Sequence, residues 1–260
     1  MKNPRMIILD MAGTTVDYGS FAPIKAFQKA FAVFGIHPTT DETRAAMGLP
    51  KREHIEAMMR GERLAALWRE RYRFDWTQAD IDSIYNEVEP ALFSVIPDHC
   101  ELLPGVLDAV RQIRLMGIRI GATTGYTRSM IDIIVPLVKE KGYEPDSMVC
   151  PEETGGLGRP YPYMIWRNLQ NLKIDSIGEV VKIGDTPADM LEGRNAGCMC
   201  IGIIAGSSML GLSRDEFDSL SGAERSLYFR RTRRDFAKAG ADYVLNDIAE
   251  LPRFLHSMAA

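Results

Sequence analysis

The sequence has few cysteines and no long apolar run. Its 260 residues include four cysteines, Cys100, Cys150, Cys198 and Cys200, and these form neither a disulfide framework nor the paired C-x-x-C motifs of a zinc site. No apolar stretch reaches the roughly 18 residues that span a bilayer. The first apolar run contains Asp10, which a signal peptide would not. We therefore expect a cytoplasmic protein without a membrane partner.

A surplus of positive charge is also missing. The chain carries 31 Lys and Arg residues against 35 Asp and Glu residues, which gives a formal net charge of −4. Proteins that bind nucleic acids usually have a basic surplus on the binding face, so we expect no nucleic-acid partner. The one basic cluster, at residues 230–234, is interpreted as a solvated or interface face of a helix.

Short apolar runs alternate with helical patterns over most of the chain. The apolar runs lie at residues 5–10, 118–124, 148–150, 180–185, 198–204 and 241–245. The helical patterns lie at residues 105–116, 127–141, 163–172, 186–195 and 221–239. This alternation predicts an α/β fold with a Rossmann-like, doubly wound parallel sheet.

Residues 20–99 interrupt the alternation, because they show helical periodicity throughout and no convincing strand. An all-helical cap domain at residues 20–99, inserted into an α/β core of residues 1–19 and 100–260, explains this pattern. Within the cap, Thr40 is predicted to cap one helix and Pro50 to occupy the first turn of the next. Pro90 is expected to kink or end the first part of a further helix.

The segment DMAGTTVD, residues 10–17, is the first motif that carries chemistry. Asp10 follows an apolar strand, and ligands of open α/β sheets bind at the carboxyl ends of the strands. Gly13, Thr14 and Thr15 offer a tight turn with backbone N–H groups and hydroxyls suited to oxyanions. The alternative is that Asp10 only caps a helix.

The segment GDTPADM, residues 184–190, also follows an apolar run. Asp185 and Asp189 are four residues apart at the start of a helix and share one face. Together with Asp10 they form an oxygen-rich site that favours Mg²⁺. The alternative is a pair of acids stabilised by the helix dipole.

Two further motifs suit a phosphoryl group. ATTGYTR, residues 122–128, ends a strand in hydroxyls and a glycine, among them Thr124 and Gly125. GRPYP, residues 158–162, places the fixed cation Arg159 on a rigid turn. A phosphoryl group needs donors on its oxygens and a cation that offsets the developing charge.

The order Asp, Thr, Arg, Asp at strand ends resembles the haloacid dehalogenase superfamily of phosphotransferases, over essentially the whole chain. The resemblance implies that Asp10 is the nucleophile that attacks phosphorus and that Thr124 binds phosphate. It also implies that Arg159 neutralises charge and that Asp185 holds Mg²⁺, with the Ala12 carbonyl as a further metal ligand.

One position departs from the phosphatases of that superfamily. They usually have an aspartate two residues after the nucleophile, as the acid and base for an alcohol leaving group. The corresponding residue is Ala12, whose side chain can neither donate nor accept a proton. Either the protein is a non-catalytic phosphate-binding protein, or its leaving group is activated in another way. A phosphatase or phosphomutase acting on a phosphate ester remains a third reading.

The segment MGLPKREHI, residues 47–55, offers another activator. Lys51 falls in the first turn of a predicted helix, and a neutral lysine amine forms an imine with a carbonyl substrate. His54 follows three residues later on the same face and can move protons. The alternative is a solvated lysine and a histidine packed at the domain boundary.

Taken together with GSSMLGL at residues 206–212, these motifs resemble the phosphonoacetaldehyde hydrolase branch of the superfamily. The resemblance implies hydrolysis of the C–P bond of phosphonoacetaldehyde to acetaldehyde and phosphate, through a Lys51 Schiff base and an Asp10 aspartyl-phosphate. It also implies a homodimer, with Met47, His54 and Tyr126 as contacts of the substrate pocket.

Overall fold

The computed structural model describes residues 4–47 and 51–259. The chain forms two compact units, one made of Met1–Ser20 and Cys100–Ala260 and the other of Phe21–His99. The boundary between them falls after Ser20, one residue later than the sequence pattern predicts. Among the described residues, no helix combines the length and the apolar character needed to cross a bilayer.

The first unit contains a six-stranded sheet in which all paired neighbours are parallel. The strands are β1 (Met6–Leu9), β2 (Arg119–Thr123), β3 (Ser147–Val149), β4 (Val180–Gly184), β5 (Met199–Ile203) and β6 (Tyr243–Leu245). Their order across the sheet is β3-β2-β1-β4-β5-β6. This order confirms the predicted Rossmann-like fold, and its direction of progression reverses between β1 and β4.

The register places the ends of the central strands side by side. Leu9, the last residue of β1, pairs with Ala122 in β2 and with Ile183 in β4. All four residues of β1 are buried, as expected of a central parallel strand. The residues that follow β1, β2 and β4 therefore share one edge of the sheet.

Helices lie between the strands of this α/β unit, and one follows β6. They are α6 (Val106–Leu115), α7 (Arg128–Glu140), α8 (Tyr163–Leu172), α9 (Pro187–Ala196), α10 (Arg214–Ser219), α11 (Gly222–Ala239) and α12 (Leu251–Ala259). Single turns of 3₁₀ helix lie at Pro151–Thr154, Ile177–Glu179 and Ile248–Glu250. The sequence pattern indicated neither α10 nor α12. The first of these is short, and a Ser213–Glu216 capping box defines its start.

The second unit is helical in all its described regular structure. Its helices are α1 (Phe21–Val33), α2 (Thr40–Arg44), α3 (Lys51–Met59), α4 (Glu62–Tyr72) and α5 (Gln78–Val95), followed by a 3₁₀ turn at Ile96–His99. One core cluster of aromatic and aliphatic side chains joins α1, α3, α4 and α5, with Phe27, Phe31 and Trp68 among its largest members.

One of the helix signals in this unit was placed wrongly, and one of the two outcomes expected at Pro90 is excluded. Thr39 rather than Thr40 caps α2, because its hydroxyl accepts the Glu42 N–H and the Glu42 carboxylate accepts the Thr39 N–H. Helix α5 does not end at Pro90 but continues to Val95. Buried Val88 and Leu92, on either side of the proline, keep this part of the helix packed inside the unit. Pro50 lies outside the described residues.

Candidate active site

Three carboxylates meet at the edge of the sheet where its strand order reverses. Asp10 directly follows β1, Asp185 directly follows β4, and Asp189 lies in the first turn of α9. One oxygen from each lies within 4.8 Å of the others, and all three side chains are buried. Such a group of hard oxygen ligands can hold a metal ion.

Local structure fixes the orientation of two of these acids. Thr186 caps α9 through its hydroxyl, which accepts the Asp189 N–H at 3.2 Å, and Asp189 Oδ2 accepts the Thr186 N–H at 3.2 Å. Asp185 Oδ2 accepts the Ser208 N–H at 2.8 Å. Gly13, with φ of +83°, lies so close that a Cβ there would be 2.2 Å from Asp185 Oδ2. The turn after Asp10 therefore requires glycine at this position.

The guanidinium of Arg159 contacts two of the acids. Its Nη2 donates to Asp10 Oδ1 and lies 3.1 Å from Asp189 Oδ1. The same nitrogen donates to the Thr123 carbonyl at 2.9 Å. The predicted cation is therefore held beside the predicted nucleophile.

Two charged residues that the sequence motifs did not indicate complete the site. Lys182, in the middle of β4, and Glu192, on α9, are both fully buried. Lys182 Nζ lies 2.9 Å from Asp189 Oδ1 and 3.0 Å from Glu192 Oε2. A signal was available, because a lysine inside an apolar strand requires an acidic partner, and Glu192 lies three residues after Asp189 on the same helix.

Burial and charge shift the pKa values of the carboxyls in opposite directions. Desolvation raises the pKa of Asp10 above its ordinary value, although Arg159 opposes it. Desolvation and the neighbouring Asp10 carboxylate raise the pKa of Asp185 still further. Desolvation would also raise the pKa of Asp189, but Arg159 and Lys182 outweigh it and lower that pKa below the ordinary value.

The site contains more acidic than basic side chains. Four buried carboxylates, Asp10, Asp185, Asp189 and Glu192, face two basic side chains. Asp185 Oδ1 has no hydrogen-bond partner among the described residues. A divalent cation would balance the remaining negative charge and satisfy this oxygen, so the residues present fit a metal ion.

The loop after Asp10 uses its amides differently from the prediction. The N–H groups of Thr14 and Thr15 both donate to the Met11 carbonyl, at 3.1 and 2.8 Å, and that of Gly13 donates to Val16 at 2.7 Å. These three amides therefore close the turn and are not directed at an oxyanion. The expectation that they bind an anion was wrong, because a turn this tight satisfies its own donors.

The predicted phosphate-binding residues lie at the end of β2, beside β1. Thr124 is buried, and its Oγ1 accepts the Tyr126 N–H at 3.1 Å. Gly125 is exposed, and no heavy atom lies within 4 Å of a Cβ built on it. Tyr126 is buried, and desolvation, followed by the charges of Asp17 and Asp10, raises the pKa of its hydroxyl well above the ordinary value.

The remaining predicted residues, Met47, Lys51 and His54, belong to the helical unit. Lys51 is the first residue of α3 and is half-buried, as is Met47. His54 is buried one turn later, where its Nε2 lies 2.7 Å from the Thr43 carbonyl and its ring lies 4.1 Å from the Phe27 ring. Desolvation lowers the pKa of His54. A neutral His54 must carry its proton on Nε2, because a carbonyl accepts and cannot donate.

Known proteins resemble this chain along most of its length. A family model described as haloacid dehalogenase-like hydrolase matches residues 4–197. A protein of Parabacteroides distasonis named phosphonoacetaldehyde hydrolase is 42% identical, over 97% of this chain and 96% of the relative. A protein of the same name from Bacillus cytotoxicus is 41% identical, over 96% of this chain and 94% of the relative.

A solved structure has a similar fold. The crystal structure of a phosphonoacetaldehyde hydrolase-like protein from Oleispira antarctica matches with a TM-score of 0.87 and 30% identity, over 99% of this chain and 93% of that one. The extent of these matches covers both the α/β unit and the helical unit. The chain therefore belongs to the haloacid dehalogenase-like hydrolases and, within them, to the phosphonoacetaldehyde hydrolase family.

Proposed function

We propose that this protein hydrolyses the C–P bond of phosphonoacetaldehyde to acetaldehyde and phosphate. The observation that carries the proposal is a buried Asp10 paired with Arg159, in a site where residue 12 is an alanine. The pairing suits attack on phosphorus, and the alanine removes the acid that an alcohol leaving group needs. The names of the relatives described above agree with this substrate.

A carbon leaving group needs an acceptor for its electron pair. In the proposed reaction the Lys51 amine condenses with the aldehyde, which forms a C=N bond and releases water. When the C–P bond breaks, its electron pair moves toward the protonated imine nitrogen and leaves a neutral enamine. This chemistry makes an acid at residue 12 unnecessary.

Asp10 supplies the nucleophile. A carboxylate oxygen of Asp10 forms a bond to phosphorus as the C–P bond breaks, which gives an aspartyl-phosphate. Arg159 offsets the charge on the transferred group, and Thr124 and Gly125 bind its oxygens. Protonation of the enamine carbon and hydrolysis of the imine release acetaldehyde, and water then releases phosphate from Asp10.

The metal of the site is proposed to be Mg²⁺. Asp10, the Ala12 carbonyl, Asp185 and Asp189 would hold it, since all of them offer the oxygen ligands that Mg²⁺ prefers. Bound there, the ion would screen the repulsion between the carboxylate and the phosphonate. Asp189 is paired with Lys182 and Arg159, and Asp10 with Arg159, so Asp185 carries more of the uncompensated charge.

The helical unit would supply the other pocket residues. We assign Met47 and His54 of this unit, with Tyr126 of the α/β unit, to the contacts of the aldehyde end, and His54 would move protons during imine formation. The hydrogen bond from Nε2 to Thr43 leaves Nδ1 of the neutral ring as the acceptor. The homodimer and the cytoplasmic location also belong to this proposal, and light scattering of the purified protein tests the former.

The imine is tested by trapping it. Treatment with borohydride in the presence of phosphonoacetaldehyde should reduce the imine and leave a stable adduct on the peptide that contains Lys51, detected by mass spectrometry. Lys51→Arg should lose the adduct and lower kcat/KM by at least about 10³-fold, because arginine does not form the imine. Lys29→Arg, in the same unit, is the matched control and should keep both.

Three results would contradict the proposal. An adduct on another lysine that persists in Lys51→Arg would remove Lys51 from the reaction. Turnover of ordinary phosphomonoesters as fast as that of the phosphonate would instead favour a phosphatase. Release of phosphate that survives Asp10→Ala would exclude Asp10 as the nucleophile.

A further inference from the structure

Two buried charged side chains have no role in the proposed reaction. Lys182 and Glu192 are fully buried. Neither belongs to the group of residues to which the proposed reaction assigns a role. Burying a charge is costly unless it is paired and hydrogen-bonded. Their presence beside the site therefore requires an explanation beyond packing.

Glu192 accepts a hydrogen bond from the Arg159 guanidinium. Its Oε2 accepts from Arg159 Nε at 3.1 Å and from Thr123 Oγ1 at 3.1 Å. Arg159 Nη2, a second nitrogen of the group, donates to Asp10 and to the Thr123 carbonyl. Because the guanidinium is planar, hydrogen bonds at both of these nitrogens fix its position and its plane.

Lys182 supplies the charge that lets Arg159 stay there. Its Nζ is shared among Asp189 Oδ1, Glu192 Oε2 and Thr123 Oγ1, at 2.9, 3.0 and 2.7 Å. Without this lysine, Arg159 would be the cation shared by both of those buried acids, and their attraction would draw it away from Asp10.

The backbone is built to bring these two residues together. Gly193, directly after Glu192, allows α9 to pack closely on the sheet. A Cβ at this position would lie 3.0 Å from the Lys182 Cβ and 2.5 Å from the Cys200 Sγ. Any larger residue would move α9, and Glu192 with it, away from Lys182.

We propose that Lys182 and Glu192 are positioning residues that hold Arg159 against Asp10 for phosphoryl transfer. The inference rests on the proposed function only in that Arg159 contacts the transferred group. Glu192 sets the plane of the guanidinium, and Lys182 neutralises the acids that would compete for it.

A double-mutant cycle in kcat tests this role. Glu192→Gln should lower kcat for phosphonoacetaldehyde by about 10- to 100-fold with KM changed by less than about threefold, since small displacements of a catalytic group have effects of this size. In an Arg159→Lys background the same substitution should lower kcat by less than about threefold, because lysine has no planar group to orient. Glu140→Gln, an exposed glutamate on α7, is the matched control and should change neither parameter.

A purely structural role gives a different result. Loss of folded protein would lower the apparent kcat by the same factor in the wild-type and Arg159→Lys backgrounds. Equal factors would therefore overturn the inference, and so would full activity of Glu192→Gln. Should Glu192→Gln fold poorly, Lys182→Met/Glu192→Gln keeps the balance of buried charge. This double variant should fold and still lose at least about tenfold in kcat, and wild-type kcat in it would also overturn the inference.

Binding of inorganic phosphate separates this inference from the proposed function. Measured by calorimetry with MgCl₂ present, phosphate affinity should fall about tenfold in Glu192→Gln and change by less than about threefold when Arg159 is already lysine. This coupling does not depend on C–P cleavage. If the two substitutions are coupled in phosphate binding but the wild-type protein leaves phosphonoacetaldehyde intact, the proposed function alone is refuted. If the wild-type protein cleaves phosphonoacetaldehyde but the coupling is absent, the positioning role alone is refuted.

Discussion

The two units of this protein bury different kinds of side chain. At the edge of the α/β sheet, Asp10, Asp185 and Asp189 are buried together with Arg159 and Lys182. The core of the helical unit consists of aromatic and aliphatic side chains, with His54 as a buried imidazole against Phe27. One unit thus buries charge, and the other buries mainly apolar surface.

This difference determines how burial in each unit affects the free energy of folding. The ends of parallel strands lie side by side, so the sheet collects polar groups at one edge, and their desolvation is unfavourable for folding but strengthens their interactions with a substrate. The helical unit buries few polar groups, so it contributes to stability mainly through the hydrophobic effect. Substitutions at the sheet edge should therefore mainly lower activity, and substitutions in the helical core should mainly lower stability.

The largest effect is expected at the nucleophile. Asp10→Asn should lower kcat by at least about 10⁴-fold, because the amide cannot form the aspartyl-phosphate. The unfolding temperature of the metal-free variant should equal or exceed that of the wild type. Burial raises the pKa of Asp10, so its ionised form at pH 7 opposes folding, and Arg159 keeps Asp189 and Glu192 as partners.

Thermal unfolding followed by circular dichroism measures the unfolding temperature of Asp10→Asn against that of the wild type. Asp108→Asn, at an exposed site on α6, serves as the control for removal of a carboxylate. A fall in stability of more than about 2 kcal/mol on Asp10→Asn would show that the buried pair with Arg159 stabilises the fold, contrary to this expectation.

The second effect is expected in the helical core. Trp68 is 1% exposed and packs against Tyr72 at a ring distance of 4.4 Å. Trp68→Ala should lower the free energy of unfolding by about 3–5 kcal/mol through lost burial and a cavity. Chemical denaturation measures it, with Trp166→Ala as the control, since Trp166 is 41% exposed and should cost less than about 1.5 kcal/mol. Equal losses at both tryptophans would contradict this account of the core.

The smallest effect is a dependence of stability on pH. The pKa of His54 is lowered below its ordinary value of 6.5 by desolvation, so folding favours the neutral ring. The stability that this provides is complete above pH 6.5 and is lost as the pH falls toward the lowered pKa, by at most about 1.4 kcal/mol per pH unit.

Unfolding measured from pH 7.5 to pH 5 tests this dependence. In His54→Gln this component of the pH dependence should disappear, because glutamine can donate to the Thr43 carbonyl without titrating. His256→Gln, at an exposed position, should leave the dependence unchanged. If the wild-type protein instead gained stability relative to His54→Gln as the pH falls through this range, the imidazole would be buried in its charged form.

Prediction from the sequence succeeded where the signal is local. Apolar runs that end at Asp10 and Asp185 indicated strands and the carboxylates after them, because the side chains of a buried parallel strand are apolar and its ligand-binding residues follow its end. It failed for the cap of α2, where the neighbouring Thr39 offered an equally good cap. Of the two outcomes expected at Pro90, the end of the helix is excluded, because packing holds the helix together to Val95. Lys182 and Glu192 were missed because they belong to different elements. The buried lysine indicates that it needs an acidic partner, but only the fold shows that Glu192 is one.

By itself, the sequence determined the alternation of strands and helices, the identity of the side chains at the strand ends and the alanine that stands at position 12. These depend on short-range periodicity and on residue chemistry, which a linear pattern records. Only the tertiary structure decided that Arg159 is held between Asp10 and Glu192 and that Lys182 shares its acids. Such contacts join residues far apart in the chain, and their energies depend on burial and on distances of a few ångströms, which exist only once the sheet and its helices have packed.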